Sequence, residues 1–135
     1  MLRLTLPCLP PVEYSANNSR GQHWAQKQKI TQSAHDEIFI AVREQGWHGE
    51  PLTKAVVKVT FGLPDRRKRD HGSLVERFKP WLDALTRNPD PKTKVWRGVG
   101  VLWDDDLECI GWPVYTHVFS PRSPFTQITI EAKED

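Results

Sequence analysis

Three segments of the chain alternate hydrophobic and polar residues, which is the pattern of a half-buried β-strand. Near the start, Leu2, Leu4 and Leu6 alternate with polar neighbours. Residues 54–61 (KAVVKVTF) add β-branched side chains to the same alternation, and residues 125–132 (FTQITIEA) repeat it near the end. The pattern predicts three strands, each with one face towards a core.

Two other segments repeat apolar residues every three or four positions, which predicts helices. The first segment runs from His23 and ends at Gly46, with apolar positions at Trp24, Ile30, Ala34, Ile38, Ala41 and Val42. The second segment opens at Ser73, where residues 73–76 have the form of a capping box. It places Leu74, Phe78, Leu82 and Leu85 on one face, and Pro80 lies inside it. We expect that proline to bend the helix or to remove one of its hydrogen bonds.

The remaining apolar segments predict further strands. Residues 95–103 fit either a short strand or the approach to a hairpin, and residues 109–119 fit a strand interrupted at Pro113. Residues 88–91 (NPDP) predict a turn. The resulting order, β-α-β-α-β-β-β, predicts an α/β (α+β) fold in which a mixed sheet packs against two main helices.

Size and composition restrict the class of protein. The chain has 135 residues, of which 38% are hydrophobic and 27% charged, so a single domain over residues 1–135 is expected and a disordered chain is excluded. Two cysteines cannot form a disulfide framework, and no apolar run is long enough to cross a membrane. A soluble intracellular domain is the expectation.

The positive charge is concentrated in one run of four residues. The chain has a net charge of +2, but Arg66, Arg67, Lys68 and Arg69 are consecutive, so the remainder carries a net charge of −2. Such a run is suited to binding phosphates, although it is also compatible with an ordinary solvated loop.

Carboxylates lie beside this run and in one later segment. Asp65 and Asp70 flank it, directly after a predicted strand, and residues 104–106 are three consecutive aspartates. Magnesium prefers carboxylate and water oxygens, and it is commonly held by one or two protein carboxylates together with a substrate phosphate. Two acidic segments that converge could hold such a metal. The alternatives are that the first pair neutralises a basic loop and that the triplet is an acidic turn.

Three motifs together resemble the RusA family of Holliday-junction resolvases. They are residues 65–70 (DRRKRD), 79–85 (KPWLDAL) and 103–106 (WDDD), in that order. The proline-rich residues 6–11 and the segment 17–24 (NNSRGQHW) are also similar to the opening of that family, so the resemblance covers nearly the whole chain.

The resemblance implies a homodimeric, Mg²⁺-dependent endonuclease, with Mn²⁺ as a substitute metal, that resolves four-way DNA junctions by paired nicks. It implies a cytoplasmic location in a bacterial host, with a phage or prophage origin. The metal ligands would be Asp70 with Asp105 or Asp106, of which Asp105 is slightly favoured, and Lys79 would assist phosphate binding or catalysis. The residues implied to contact DNA are Arg66, Arg67, Lys68, Arg69 and Arg20.

One departure from the family pattern leaves a second interpretation open. The family's second helix usually begins Asp-x-Asp-Asn, whereas this chain has Gly72 and Ser73 in place of the second aspartate and the asparagine. Loss of a carboxylate ligand weakens metal binding, so a catalytically weakened or inactive junction-binding protein of the same fold is the alternative. An unrelated α+β interaction domain is a third.

Overall fold

A computed structural model describes residues 1–15 and 24–133, and for His71 it describes only the backbone. The elements are β1 (Leu2–Leu6), α1 (Trp24–Glu44), β2 (Ala55–Leu63), α2 (His71–Leu85), α3 (Leu107–Ile110), β3 (Val114–Phe119) and β4 (Phe125–Ala132). A short 3-10 turn, Val12–Tyr14, follows β1. None of the helices in the described ranges is long and apolar enough to cross a lipid bilayer.

The four strands form one mixed sheet in the order β1-β4-β2-β3. Strand β4 is antiparallel to both β1 and β2, whereas β2 and β3 run parallel. A parallel pair cannot be joined by a tight turn, and the chain between β2 and β3 contains α2 and α3. The predicted mixed sheet with two main helices is confirmed.

One face of the sheet forms the core and the other is open. The buried face carries the alternate residues Leu2, Leu4, Leu6, Val57, Val59, Phe61, Ile128 and Ile130, packed with buried residues of α1 and α2. The opposite face carries exposed or half-exposed polar side chains: Arg3, Thr5, Lys58, Thr60, Gln127 and Thr129. The period-2 alternation in the sequence therefore marks which face the helices cover.

Helix α2 is anchored by two large aromatic side chains. Phe78 and Trp81 are fully buried, and their rings meet edge to face, with centroids 6.4 Å apart. Trp81 also contacts Tyr14, and Phe78 contacts Phe61 and Tyr115, in the same geometry. Full burial of such a side chain contributes about 1.5–3 kcal/mol, so the rotation of α2 about its axis is fixed. Pro80 lies inside this helix, as the sequence indicates.

Helix α1 confirms most of its predicted apolar face. Ala34, Ile38, Ala41 and Val42 are buried, and a positive φ at Gly46 (67°) follows the end of the helix. Trp24 is an exception, because 73% of its surface is exposed. Its assignment to the buried face is wrong, since it lies in the first turn of the helix, ten residues before the first buried position.

Two local predictions are corrected, and one that the sequence leaves open is decided. The cap of α2 is Asp70 and not Ser73, because the Asp70 Oδ1 accepts a hydrogen bond from the Gly72 N–H and the helix starts two residues earlier. Residues 107–110 form α3 instead of the start of a strand, since Asp106 caps that turn. Residues 95–103 make isolated β-bridges and no continuous strand, and the antiparallel bridge of Trp96 to Pro89 fits the hairpin alternative.

Residues 87–97 form a short loop in which the chain reverses direction, here called the 87–97 hairpin. Pro89 pairs with Trp96, and the Asp90 N–H donates to the Val95 carbonyl at 2.8 Å. At its base, Gly98 passes so close to the chain after α2 that a Cβ would lie 1.9 Å from the Thr86 carbonyl oxygen. Only glycine fits this close approach between two backbone segments.

We expect Gly98→Ala to destabilise the fold by about 1–3 kcal/mol, the usual cost of forcing atoms into a packed site. Urea unfolding followed by circular dichroism measures the loss. The matched control is Gly72→Ala, whose added Cβ would meet only the exposed Asp70 side chain, at 3.3 Å. Equal midpoints for Gly98→Ala and the parent would contradict the close approach.

Candidate active site

The basic run forms a folded loop between β2 and α2. The Asp65 carboxylate accepts a hydrogen bond from the Arg67 N–H and pairs with the Arg69 guanidinium, both at 2.9 Å. These two interactions, the backbone N–H first, lower the pKa of Asp65. Arg69 also donates to the carbonyls of Asp65 and Arg67, so its side chain is mostly covered. Arg69 therefore holds the loop together.

The other cations of the run face solvent. Arg66, Arg67 and Lys68 are exposed, and the Arg66 guanidinium lies over the ring of Phe119, 4.1 Å from its centroid. Phe119 ends β3, so this contact ties the loop to the end of the parallel strand pair. Three guanidinium or ammonium groups are thus available to anions at this end of the sheet.

A lysine and two aspartates meet near the other end of α2. The Lys79 ammonium donates to the Asp83 Oδ1 at 3.0 Å and forms a hydrogen-bonded ion pair with the Asp105 carboxylate. Lys79 and Asp83 are one helical turn apart on α2, whereas Asp105 comes from the segment before α3. The three side chains are about a quarter to a half exposed. The group is called here the Lys79 cluster.

Burial and charge act in opposite directions within the Lys79 cluster. Burial alone disfavours the charged ammonium of Lys79, but the two carboxylates outweigh it and raise the pKa of Lys79. Burial also acts to raise the pKa of Asp105, yet the contact with Lys79 prevails and lowers it. For Asp83, burial prevails over the attraction of Lys79 and raises the pKa. Asp105 is the more firmly ionised carboxylate of the pair.

The aspartate triplet divides into three different roles. The Asp104 Oδ1 accepts a hydrogen bond from the Asp105 N–H at 2.7 Å, which fixes the turn. The Asp106 Oδ1 accepts from the Cys109 N–H at 2.8 Å and caps α3. Only Asp105 points its carboxylate to Lys79. The preference for Asp105 over Asp106 therefore has a structural reason.

Two depressions that share lining residues lie along α2, one beside the basic loop and one beside the Lys79 cluster. Val75 of α2 and Tyr115 of β3 line two adjoining depressions. One depression is also lined by Arg66, Arg67 and Arg69, and the other by Lys79, Asp105 and Asp106. This surface, the α2–β3 groove, has cations at one end and a mixed acid–base cluster at the other.

Asp70 lies away from the Lys79 cluster. It caps α2 through the Gly72 N–H, at 2.9 Å, and nine residues separate it from Lys79. At 1.5 Å per residue, this corresponds to about 13 Å along the helix. The structure brings together Lys79 and Asp105 of the predicted site, and it does not bring Asp70 to them. Arg20, predicted to contact DNA, lies outside the described residues.

Asp83 is the residue that sequence reasoning missed. The motif at 79–85 contains it, but the metal ligands were assigned to residues 70, 105 and 106. The available signal was the spacing of Lys79 and Asp83, which places two charged side chains on one face of a helix, four residues apart.

The donor set of the Lys79 cluster fits a hard divalent cation. Asp83 and Asp105 already share one cation, the Lys79 ammonium, and Mg²⁺ is commonly held by only two protein carboxylates plus water and phosphate oxygens. Within residues 1–15 and 24–133, no group of three or more His, Cys, Asp or Glu side chains is arranged to hold a metal. A cation bound here would keep open positions for water and substrate.

Known proteins give no further guide to the site. The chain matches no protein-family model, and no curated protein is significantly similar to it. The resemblance to the RusA family stays a prediction.

We expect Lys79→Met to strengthen Mn²⁺ binding, because the ammonium competes with a metal for the two carboxylates. The Mn²⁺ affinity should rise about two- to tenfold. Metal binding would no longer have to break the one or two exposed ion pairs of Lys79, each of which contributes roughly 1 kcal/mol or less. Isothermal titration calorimetry gives the affinity directly. Lys58→Met, on the open face of the sheet, is the charge-matched control. Unchanged or weaker Mn²⁺ binding by Lys79→Met alone would contradict the shared cation position.

Proposed function

We propose that this protein is a metal-dependent endonuclease that cuts branched DNA, as in the resolution of four-way junctions during recombination and repair. The observation that carries the proposal is the α2–β3 groove, which is lined by arginines at one end and has two carboxylates around a lysine at the other. A nuclease needs both parts, because phosphates must be held while one of them reacts. A homodimer in the bacterial cytoplasm, with one site per chain for paired nicks, belongs to the same proposal.

The charge of each side chain determines its role in the proposed reaction. Arg66, Arg67 and Lys68 would bind phosphates that flank the cut, with an affinity that falls as salt rises. Asp83 and Asp105 would hold Mg²⁺, which when bound lowers the pKa of a water ligand and offsets negative charge on the phosphate. Lys79, released from the carboxylates, would turn its ammonium to a non-bridging phosphate oxygen.

A second candidate function is junction binding without cleavage. The observation that favours it is that the position expected to carry a second aspartate is Gly72, beside Asp70 and about 10 Å along α2 from Lys79. With the basic loop intact and too few ligands, the protein would bind branched DNA and leave it uncut. Incubation of a labelled four-way junction with Mg²⁺, Mn²⁺ or EDTA separates the two, since only the nuclease gives metal-dependent paired nicks.

We expect Asp105→Asn to reduce junction cleavage at least about 100-fold, because it removes a charge that the metal needs. Asp106→Asn should cut at close to the parental rate, since asparagine also caps a helix. Single-turnover cleavage at saturating protein measures both rates, and gel shifts in Ca²⁺ confirm that both variants still bind. The reverse order, with Asp106→Asn inactive and Asp105→Asn active, would refute the assignment of Asp105.

A second pair of variants tests which carboxylate of α2 takes part. We expect Asp83→Asn to lose cleavage to the same extent as Asp105→Asn, because both residues contact Lys79. Asp70→Asn should keep most of the activity, since the amide oxygen can still cap α2. Inactive Asp70→Asn together with active Asp83→Asn would restore the ligand set that the sequence resemblance implies.

A further inference from the structure

The 87–97 hairpin is a hydrogen-bonded, positively charged loop whose residues do not line the α2–β3 groove. It contains four cationic residues, Arg87, Lys92, Lys94 and Arg97, and one acidic residue, Asp90. The Asp90 carboxylate is used inside the turn, where it accepts hydrogen bonds from the N–H groups of Lys92 and Thr93. The backbone of the hairpin is held by hydrogen bonds from the Lys94 N–H to the Asp90 carbonyl and from the Arg97 N–H to the Asn88 carbonyl. The cations are therefore displayed on a fixed scaffold.

Two indole rings and one guanidinium form a ladder at the base of the hairpin. The Arg87 guanidinium lies 3.5 Å from the ring centroid of Trp103 and 6.0 Å from that of Trp96. The Arg87 Nε also donates to the Trp103 carbonyl at 2.8 Å, which fixes its plane. Both indoles stay nearly half exposed, at 48% for Trp96 and 45% for Trp103. An open ladder of flat groups is a surface on which other flat groups can stack.

The ladder runs from the segment that carries Asp105 to a depression beside α1. Trp103 is two residues before Asp105, so their Cα atoms are no more than about 7 Å apart. At the other end, Trp96 and Arg97 line a depression against α1, together with Gln28, Thr31 and His35. A path of side-chain contacts thus leads from Trp103 through Arg87 and Trp96 to this depression, whose lining also includes Asp90 and Gln32.

We propose that this path binds unpaired nucleotides of the DNA strand that leaves the cleavage site, with bases stacked on Trp103 and Trp96 and phosphates held by Lys92, Lys94 and Arg97. The inference rests on the proposed function for the position of the cleavage site. Nucleobases fit because half-exposed indoles offer flat apolar faces on which unpaired bases can stack, and the cations beside them match a phosphate backbone. An acidic peptide would use the cations and leave the indoles without a role.

The test is DNA binding by hairpin variants in Ca²⁺, measured by fluorescence anisotropy at several salt concentrations. The probes are a four-way junction, a single-stranded oligonucleotide and a plain duplex. We expect Trp96→Leu to weaken single-strand and junction binding on the order of tenfold, the loss typical of one stacked base, and Trp96→Phe to restore most of it. We expect Lys92→Ala/Lys94→Ala to reduce the salt dependence of single-strand binding, with a slope lower by about 1.4.

Two controls isolate the hairpin from general effects. Arg3→Ala/Lys58→Ala removes the same charge from the open face of the sheet and should bind as the parent does. Leucine at position 96 keeps apolar bulk against Gly100, so a difference between leucine and phenylalanine reports stacking. Equal binding by Trp96→Leu and Trp96→Phe would overturn the inference. So would a loss of binding in the Arg3/Lys58 control as large as that in the Lys92/Lys94 variant, or competition by polyglutamate as effective as competition by single-stranded DNA.

The cleavage assay separates this inference from the proposed function. If the parent cuts junctions and the hairpin variants bind all probes as the parent does, the nuclease stands and the stacking path is refuted. If the parent never cuts but the hairpin variants lose single-strand binding as expected, the stacking path stands and the nuclease is refuted. The Arg3→Ala/Lys58→Ala control should cut at the parental rate, because it changes neither the Lys79 cluster nor the hairpin.

Discussion

The arrangement of the candidate site depends on how α2 is packed against the sheet. Phe78 and Trp81 are fully buried, and one turn of α2 later Leu82 and Leu85 join them in the core. A helix that buries these positions must turn the intervening positions 79 and 83 outwards, because successive residues are 100° apart around its axis. The Lys79 cluster is thus a consequence of core packing. A rotation of α2 by one residue would bury a charge and remove the site together with the core.

Because buried residues recur at regular spacings along α2 and the strands, most of the fold can be predicted from the sequence. The alternation in β1 and β4 and the helical spacing of α2 each reflect burial on one face, which the structure reproduces. The errors occur where a polar side chain bonded to a backbone N–H decides the outcome. Asp70 and Asp106 both start helices in this way, and neither leaves a hydrophobic pattern for sequence reasoning to detect. Trp24 is a different case, because it fits the helical spacing and is exposed by its place in the first turn of α1.

The site was harder to predict than the fold, for a related reason. Asp83 and Asp105 are 22 residues apart in sequence, and the composition of neither segment indicates that it contacts the other. Their meeting is set by the path of the chain between α2 and α3, where Gly98 packs against the Thr86 carbonyl and the Leu102 N–H donates to the Leu85 carbonyl. Those backbone contacts place residues 103–106 beside the last turns of α2. The sequence pattern supplied the candidate carboxylates, and the backbone contacts select which of them meet.

The fold also separates charge along α2 into two cationic surfaces with the Lys79 cluster between them. Residues 66–68 lie at one end of α2, the 87–97 hairpin follows its other end, and the carboxylates of Asp83 and Asp105 lie between the two cationic surfaces. Helix α2, about 22 Å long, keeps the two surfaces too far apart for a single phosphate to bridge them. An extended polyanion can contact both, whereas a small anion can occupy only one. With a net charge of only +2, the chain attracts anions weakly as a whole, so under the proposed function the length and shape of the DNA would be the basis for selection.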